Sequence, residues 1–296
     1  MGAADVVPGV SGGTVALVFG IYQRLIDSVR TGSMAMGRFL KADIKGSVEA
    51  LKQVEWLFFI PLVLGIMTAV FSLSGLIAFL LEDYPVETAG MFMGLVAGSV
   101  IVAWELLKTR DPQRFAVLIG VAIVTFLLLG LKEGTSDSAV SQVSDAPIWV
   151  FFGAGAIAIC AMILPGVSGS FLLVTMGMYG PTLAAVNDRD LATVAVFALG
   201  CVVGLALFSQ VLHWGLSNHY DTIMAGLIGL MLGSLRVVWP WPNGVDSTAI
   251  GAPSDPVVVP ALLIVAGILI VIAFNAIGKR FEHRTTEDEI DELQSV

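Results

Sequence analysis

The sequence predicts an all-α integral membrane protein of two inverted-topology repeats, each with a re-entrant helical hairpin plus about three transmembrane helices. Three observations lead there: a composition too apolar for water, a set of long apolar stretches, and a Pro-Gly-Val-Ser-Gly motif that occurs twice. Apolar residues fill 56% of the 296 positions and charged residues only 13%, with a mean hydropathy of +0.89. A soluble domain carries about a quarter charged residues, so this chain cannot clothe itself in polar groups and needs lipid. Cys160 and Cys201 both lie in apolar runs and read as small buried hydrophobes, not as a disulfide or a metal pair. The formal charge of −9 owes much to the tail, which holds six of the 24 acids after Phe281 and reads as a solvated end. No basic stripe offers itself to nucleic acid. The N-terminus has no charged n-region and shows no removable signal.

A membrane span needs about 20 mostly apolar residues. Residues 57–81, 89–107, 115–131, 191–216, 223–239 and 257–278 qualify or nearly so. Two further apolar pieces, 3–22 and 147–180, are interrupted by Pro-Gly and are read as hairpins. Residues 23–55 mix six Lys and Arg with acids and read as one or two surface helices, while 132–147 and 240–256 have loop composition. The expected units are therefore 1–131, 147–278 and an acidic tail at 279–296. Orientation follows from basic residues. If 23–55 is cytoplasmic and the chain then crosses at each span, segments 23–55, 108–114, 217–222 and 279–296 hold twelve of the 15 Lys and Arg. The external loops keep Lys132 and Arg189 alone. The C-terminus is then cytoplasmic.

The chain repeats itself. Pro8-Gly9-Val10-Ser11-Gly12 returns as Pro165-Gly166-Val167-Ser168-Gly169, and Gly20 and Tyr22 return as Gly177 and Tyr179, an offset of 157 residues. Gly94, Gly98 and Ser99 return as Gly229, Gly233 and Ser234, an offset of 135. The difference is the extra length of 23–55. With the orientation above the two halves run antiparallel, and interrupted segments at matching places in inverted repeats are the best sequence pointer to a transporter's binding site.

Pro and Gly end a helix, and Ser-Gly begins one with the hydroxyl as N-cap. A helix start exposes unpaired N–H groups and partial positive charge, which suits an anion, phosphate above all. Gly12, Gly13 and Gly169 would let a headgroup approach the backbone. The arms 11–22 and 168–180 reach only about 20 Å, short of the ~30 Å hydrocarbon core, so the hairpins are expected to meet near the midplane with Ser11 and Ser168 facing each other. The rival for these motifs is a pair of ordinary helix kinks with glycines for packing. Gly9-Val10-Ser11-Gly12-Gly13 also fits the G-x-S-x-G nucleophile elbow. That elbow needs a preceding strand and a nearby histidine, and His213, His219 and His283 lie at or beyond the cytoplasmic ends of spans. No catalytic residue and no metal site is expected.

Ionisable groups inside apolar segments are functional candidates by default. Asp5 precedes the first motif by three residues, and its repeat partner is the apolar Met162. It either lines the hairpin, carries a proton or sits at the interface. Arg236 lies on the outer part of its span and either pairs with a phosphate or snorkels to the surface. Arg24 and Glu105 lie near cytoplasmic ends. Trp149, Trp214, Trp239 and Trp241 read as interfacial belt residues.

Ala4 to Thr14 with Gly20-Ile21-Tyr22, Leu164 to Gly169, and Gly233 to Pro240 together resemble PopT, the bacterial family of polyprenyl-phosphate transporters. The likeness runs over essentially the whole chain, although members carry a longer stretch before the first motif. The resemblance implies a non-enzymatic translocase, a lipid flippase of the bacterial cytoplasmic (inner) membrane, that returns undecaprenyl phosphate to the cytoplasmic leaflet for peptidoglycan and other envelope synthesis. Its partners would be that lipid substrate and the bilayer, an oligomer being compatible, with no nucleic acid and no cofactor; a coupling ion, proton or sodium, stays open. On this reading Ser11, Gly12, Gly13, Thr14, Ser168, Gly169, Ser170 and Arg236 bind the phosphate. Asp5, Arg24 and Glu105 couple or gate, and the polyprenyl tail stays in lipid outside the bundle. The alternative is an ion-coupled secondary transporter of a small soluble anion. A scaffold without transport activity is a third reading.

Overall fold

The computed structural model describes residues 1–5, 11–130, 146–244 and 249–294, with the side chains of residue 40 and of 278–294 outside the description. Every regular element among them is helical. In the first half these are α1 (Gly2–Asp5), α2 (Gly12–Val18), α3 (Tyr22–Leu40), α4 (Ile44–Lys52), α5 (Trp56–Asp83), α6 (Pro85–Glu105) and α7 (Pro112–Leu129). The second half has α8 (Ile148–Ile163), α9 (Gly169–Thr175), α10 (Tyr179–Asn187), α11 (Leu191–Asn218), α12 (Tyr220–Ser234) and α13 (Val258–Gln294).

Five helices are long and apolar enough to cross a membrane: α5, α6, α7, α11 and residues 258–277 of α13. The 28 residues of α5 extend about 42 Å, more than the hydrocarbon core requires. Its apolar side chains face outward, Leu57 at 95% and Phe71 at 77% exposure, as a lipid-facing helix demands. Helices α9 and α10 together have the length and apolarity of a span but bend by 106° at the break between them, so the second hairpin turns inside the apolar layer.

Two sequence expectations change here. The span expected at 223–239 is shorter, because α12 stops at Ser234 after 15 residues. The β-branched pair Val237-Val238 and then Pro240, which disfavours helix at Trp239, turn the chain inward, and both valines are buried. Trp241 is not a belt residue. It is 4% exposed, lies edge-on to Trp239, and donates from Nε1 to the Pro256 carbonyl at 3.3 Å. The segment 23–55 forms two amphipathic helices, α3 and α4, with Ile26, Ala35 and Ala50 buried. Asp43 caps α4 by accepting from the Gly46 amide. In the loops, Asp111 caps α7 and Asp190 caps α11. Hydrogen bonds from the Arg114 amide and from Thr193 respectively hold these two carboxyls below the usual carboxylate range.

The repeat is legible in backbone geometry. Ser11 and Ser168 stand as N-caps of two seven-residue helices. Each helix ends in a Schellman turn: Gly20 and Gly177 take the same φ of +69°, and the amides of Ile21 and Met178 reach back to Ala16 and Leu173. That conformation costs glycine nothing. Tyr22 and Tyr179 then open the next helix. Two of the closest helix pairs cross the halves and correspond in the repeat: α6 lies on α13, and α12 on α7. Side chains at Gly94 and Gly98 would run into Ile264, Ile268 and Val271, while at Gly229 and Gly233 they would run into Leu118, Ala122 and Thr125. Each of the three α13 residues lies 146 positions after its counterpart in α7, so both seams share one register. Glycines permit this backbone contact where lipid supplies no hydrophobic drive between helices.

Gly94→Leu and Gly229→Leu should each destabilise the bundle by at least the ~1–3 kcal/mol of overpacking, since the new side chain meets backbone. Gly65→Leu, which meets nothing within 4 Å, should not. Thermal unfolding in detergent checks this; equal melting temperatures for all three would contradict the seam.

Candidate functional site

The motif turns interrupt helices inside the apolar layer, so their backbone groups need partners within the protein. The turns meet. Ser11 Oγ donates to the Met162 carbonyl at 3.0 Å, Tyr22 OH donates to the Ile163 carbonyl at 3.1 Å, and the Gly166 amide donates to Thr14 Oγ1 at 3.0 Å. All three first-half residues in these bonds are buried, Ser11 at 1%, Thr14 at 2% and Tyr22 at 3% exposure. Gly13 is glycine for contact rather than conformation: a Cβ there would stand 2.5 Å from the Ile163 carbonyl oxygen. Gly166, with φ of +82°, needs the left-handed region to turn the chain after α8. Residues Pro8, Gly9 and Val10 of the first motif lie outside the described residues.

The helix starts themselves differ. At α2 the chain satisfies its own amides: Gly12 donates to Asp5 Oδ1 at 2.6 Å, Gly13 to Ser11 Oγ at 3.1 Å, and Thr14 to the Ser11 carbonyl. At α9, Ser168 makes no side-chain cap and its hydroxyl instead pairs with that of Ser170 at 2.8 Å. This start borders a cavity of about 240 Å³ lined by Asp5, Met162, Ser168, Gly169, Ser170 and Cys201 among others. Of the two helix starts, one is thus occupied by a carboxylate and one faces open space. The cause is a single repeat position. Seven residues before each helix-start glycine stand Asp5 and Met162; a Cβ on Gly12 would lie 2.5 Å from the Asp5 carboxylate, and one on Gly169 2.6 Å from Met162 Cγ. A carboxylate accepts from amides, whereas a thioether accepts only weakly.

The remaining candidates lie apart from the turns. Arg236 stacks on Phe126, 4.8 Å from the ring centre, with its guanidinium beside Gly130 at the end of α7. Arg24 pairs with Glu55 at 2.5 Å and lies over Phe58. Glu105 ends α6 on the surface. His213 bonds Asp27 at 2.6 Å, tying α11 to α3, and neither motif serine has a histidine partner. Sequence reasoning missed Tyr22 and the Asp5–Gly12 bond. The repeated Gly-x-Tyr pointed to the first; nothing in the spacing reveals that the carboxylate ending α1 accepts from the amide that begins α2.

A multi-pass helical membrane protein whose two broken helices bond to one another at a polar centre belongs, by architecture, with membrane transporters. The family is specific: the profile of the undecaprenyl phosphate translocase-like family matches residues 1–251, and the chain belongs to that family. A polyprenyl-phosphate transporter of Vibrio cholerae serotype O1 is 39% identical over 242 residues, covering 81% of this chain and 75% of the relative. One of Staphylococcus aureus is 29% identical over 252 residues, covering 81% and 83%. No solved structure matches the chain.

Thr14→Val should leave the Gly166 amide buried without an acceptor and cost ~1–3 kcal/mol, and Tyr22→Phe about 1 kcal/mol. Unfolding by denaturing detergent should show both losses; a neutral Thr14→Val would mean the turns are not held by that bond.

Proposed function

We propose that the protein translocates polyprenyl phosphate across the bacterial cytoplasmic membrane. The substrate is undecaprenyl phosphate, returned to the cytoplasmic leaflet for reuse in peptidoglycan and envelope polysaccharide synthesis. The two halves act as inverted repeats in alternating access, with the C-terminus cytoplasmic. The observation that carries this reading is the meeting of two broken helices at a buried polar centre with a cavity beside it. Family membership and the names of the two relatives support the substrate. The paired Schellman turns and the shared register of the α6–α13 and α7–α12 seams support the repeat.

The headgroup sits in the cavity against the amides that begin α9, with Ser168, Gly169 and Ser170 around it. Asp5 occupies the Gly12 amide in this conformer and yields it to the phosphate when the site opens to the other leaflet. Ser11, Gly12, Gly13 and Thr14 then take their turn as cradle. Arg236 lies two residues beyond Ser234, which touches Gly166, and meets the phosphate as it enters. Arg24 and Glu105 stand at the cytoplasmic rim. A polar route is required because an anion in bare hydrocarbon is costly by many kcal/mol.

The test is flipping of labelled undecaprenyl phosphate in proteoliposomes. Ser170→Leu, which fills the cavity from a helix position, removes the hydroxyl pairing with Ser168 and leaves the turn-to-turn bonds in place, should abolish it while the protein still folds. Arg236→Ala should slow it about tenfold or more, given ~1.5–3 kcal/mol for a charge-assisted hydrogen bond. Arg236→Lys should recover only part, because an ammonium offers no planar fork. Unchanged flipping with Ser170→Leu would place the headgroup elsewhere. Gly12 and Gly169 are poor probes, since larger residues there collide with Asp5 and with the Ala158 carbonyl.

A further inference from the structure

We propose that a lateral groove between α2, α6 and α13 seats the first isoprene units of the lipid's chain, next to its phosphate. The inference rests on the functional reading above. The groove encloses about 290 Å³ and is walled by Val15, Val18, Phe92, Leu95, Ile270 and Phe274, among others. That is near the lower bound of small-ligand cavities, ~300 Å³, so it holds the start of a long chain and leaves the rest in the bilayer. The tail does not lie wholly outside the bundle, as the sequence alone suggested.

Three features select this occupant. First, the groove's only polar side chains are Thr14 and Ser99, and both are engaged within the protein. Thr14 Oγ1 accepts from Gly166, and Ser99 Oγ donates to the Leu95 carbonyl at 2.7 Å. Neither hydroxyl is a free donor for a soluble anion. Second, the groove runs into the motif: Thr14 is at once its wall and a member of the turn-to-turn contact, so a chain lying in it is continuous with a headgroup at the polar centre. Third, the matching place in the other half is filled. Val96 and Ser99 line the groove, and their counterparts 135 positions on are Met231 and Ser234. Gly166 sits on those two so closely that a Cβ there would lie 2.7 Å from Met231 Cα and 3.0 Å from Ser234 Oγ. One half of the repeat is closed by its own turn where the other offers a slot.

The physics of the slot is selection by shape. Lipid tails are as apolar as its walls, so burial from water contributes nothing, and close contact with the branched chain is what remains. The rings of Phe19 and Phe274, 5.9 Å apart and tilted, stand at its mouth with exposures of 53% and 51%.

The experiment uses the full chain in phosphatidylethanolamine/phosphatidylglycerol vesicles. Val18→Trp and Leu95→Trp, which fill the groove, should slow flipping of undecaprenyl phosphate at least tenfold, while Leu199→Trp on the lipid face of α11 should match wild type. A benzophenone amino acid in place of Phe274 should cross-link to undecaprenyl phosphate in the presence of excess phospholipid. Should the tryptophan variants fail to fold, Phe274→Ala serves, with an expected loss of preference for undecaprenyl phosphate over a linear alkyl phosphate. Wild-type flipping rates in the folded tryptophan variants, an unchanged preference in Phe274→Ala, or cross-links to phospholipid alone would overturn the groove and leave the functional reading standing. A wild-type protein that does not flip undecaprenyl phosphate sinks the functional reading and the groove together.

Discussion

A backbone broken inside a bilayer has no water to complete its hydrogen bonds, and an unsatisfied group there costs several kcal/mol. In this protein the break after α8 is completed by side chains of the first half. The carbonyls that end α8 at Met162 and Ile163 receive Ser11 and Tyr22, and the amide of Gly166 finds Thr14. The second turn is not satisfied alone, so the halves are held in one relation by groups that could not be left bare. The bonds at the centre divide into two kinds. A phosphate only accepts hydrogen bonds at its ionised oxygens, so on the proposed function it would replace Asp5 at the Gly12 amide or Thr14 at the Gly166 amide. It could not replace Ser11 or Tyr22, which donate to carbonyls. On that reading a headgroup would exchange the amide partners and leave the two donor bonds in place.

Around that centre the long helices are paired across the halves, α6 with α13 and α7 with α12. Glycine seams bring backbone against backbone, and close-packed interiors transmit displacement rather than absorb it. A change at the turns is thus carried by helix pairs that each contain one member of either half.

Much of this was legible in the sequence. Composition gave the lipid environment, the motif offset located both turns, and Ser11 was readable as an N-cap because capping is local chemistry. The repeated Gly-x-Tyr had a backbone meaning, a left-handed C′ glycine and a new helix start, that follows from the residues alone. What did not follow was contact at a distance. The bond between Tyr22 and Ile163 spans 141 residues, and no periodicity encodes it. The early end of α12 depends on Val237 and Val238 being drawn into the core, and Trp241 was misplaced because an aromatic near a span end looks the same whether it faces lipid or Trp239. The asymmetry between Asp5 and Met162 was readable from the repeat, but its consequence, a carboxylate on the Gly12 amide at one helix start and none at the other, was not.

That difference bears on direction. In a perfectly repeated protein the two states related by the pseudo-symmetry would be equal in energy, and the resting protein would be open to either leaflet equally. Asp5 breaks the tie. It closes the α2 start by accepting from the Gly12 amide, and Met162, whose thioether is a weak acceptor, makes no such bond at α9. On the proposed function, the conformer with α2 capped and the α9 side open would be the favoured one without substrate. A phosphate would have to displace Asp5 to reach the second state but would displace nothing to enter the first. Net direction would still be set by the lipid gradient and by any coupled ion, because a fixed preference for one resting state alters rates and occupancy without performing work. Under that proposal the asymmetry assigns an order of events: binding at α9 would precede the surrender of the Gly12 amide.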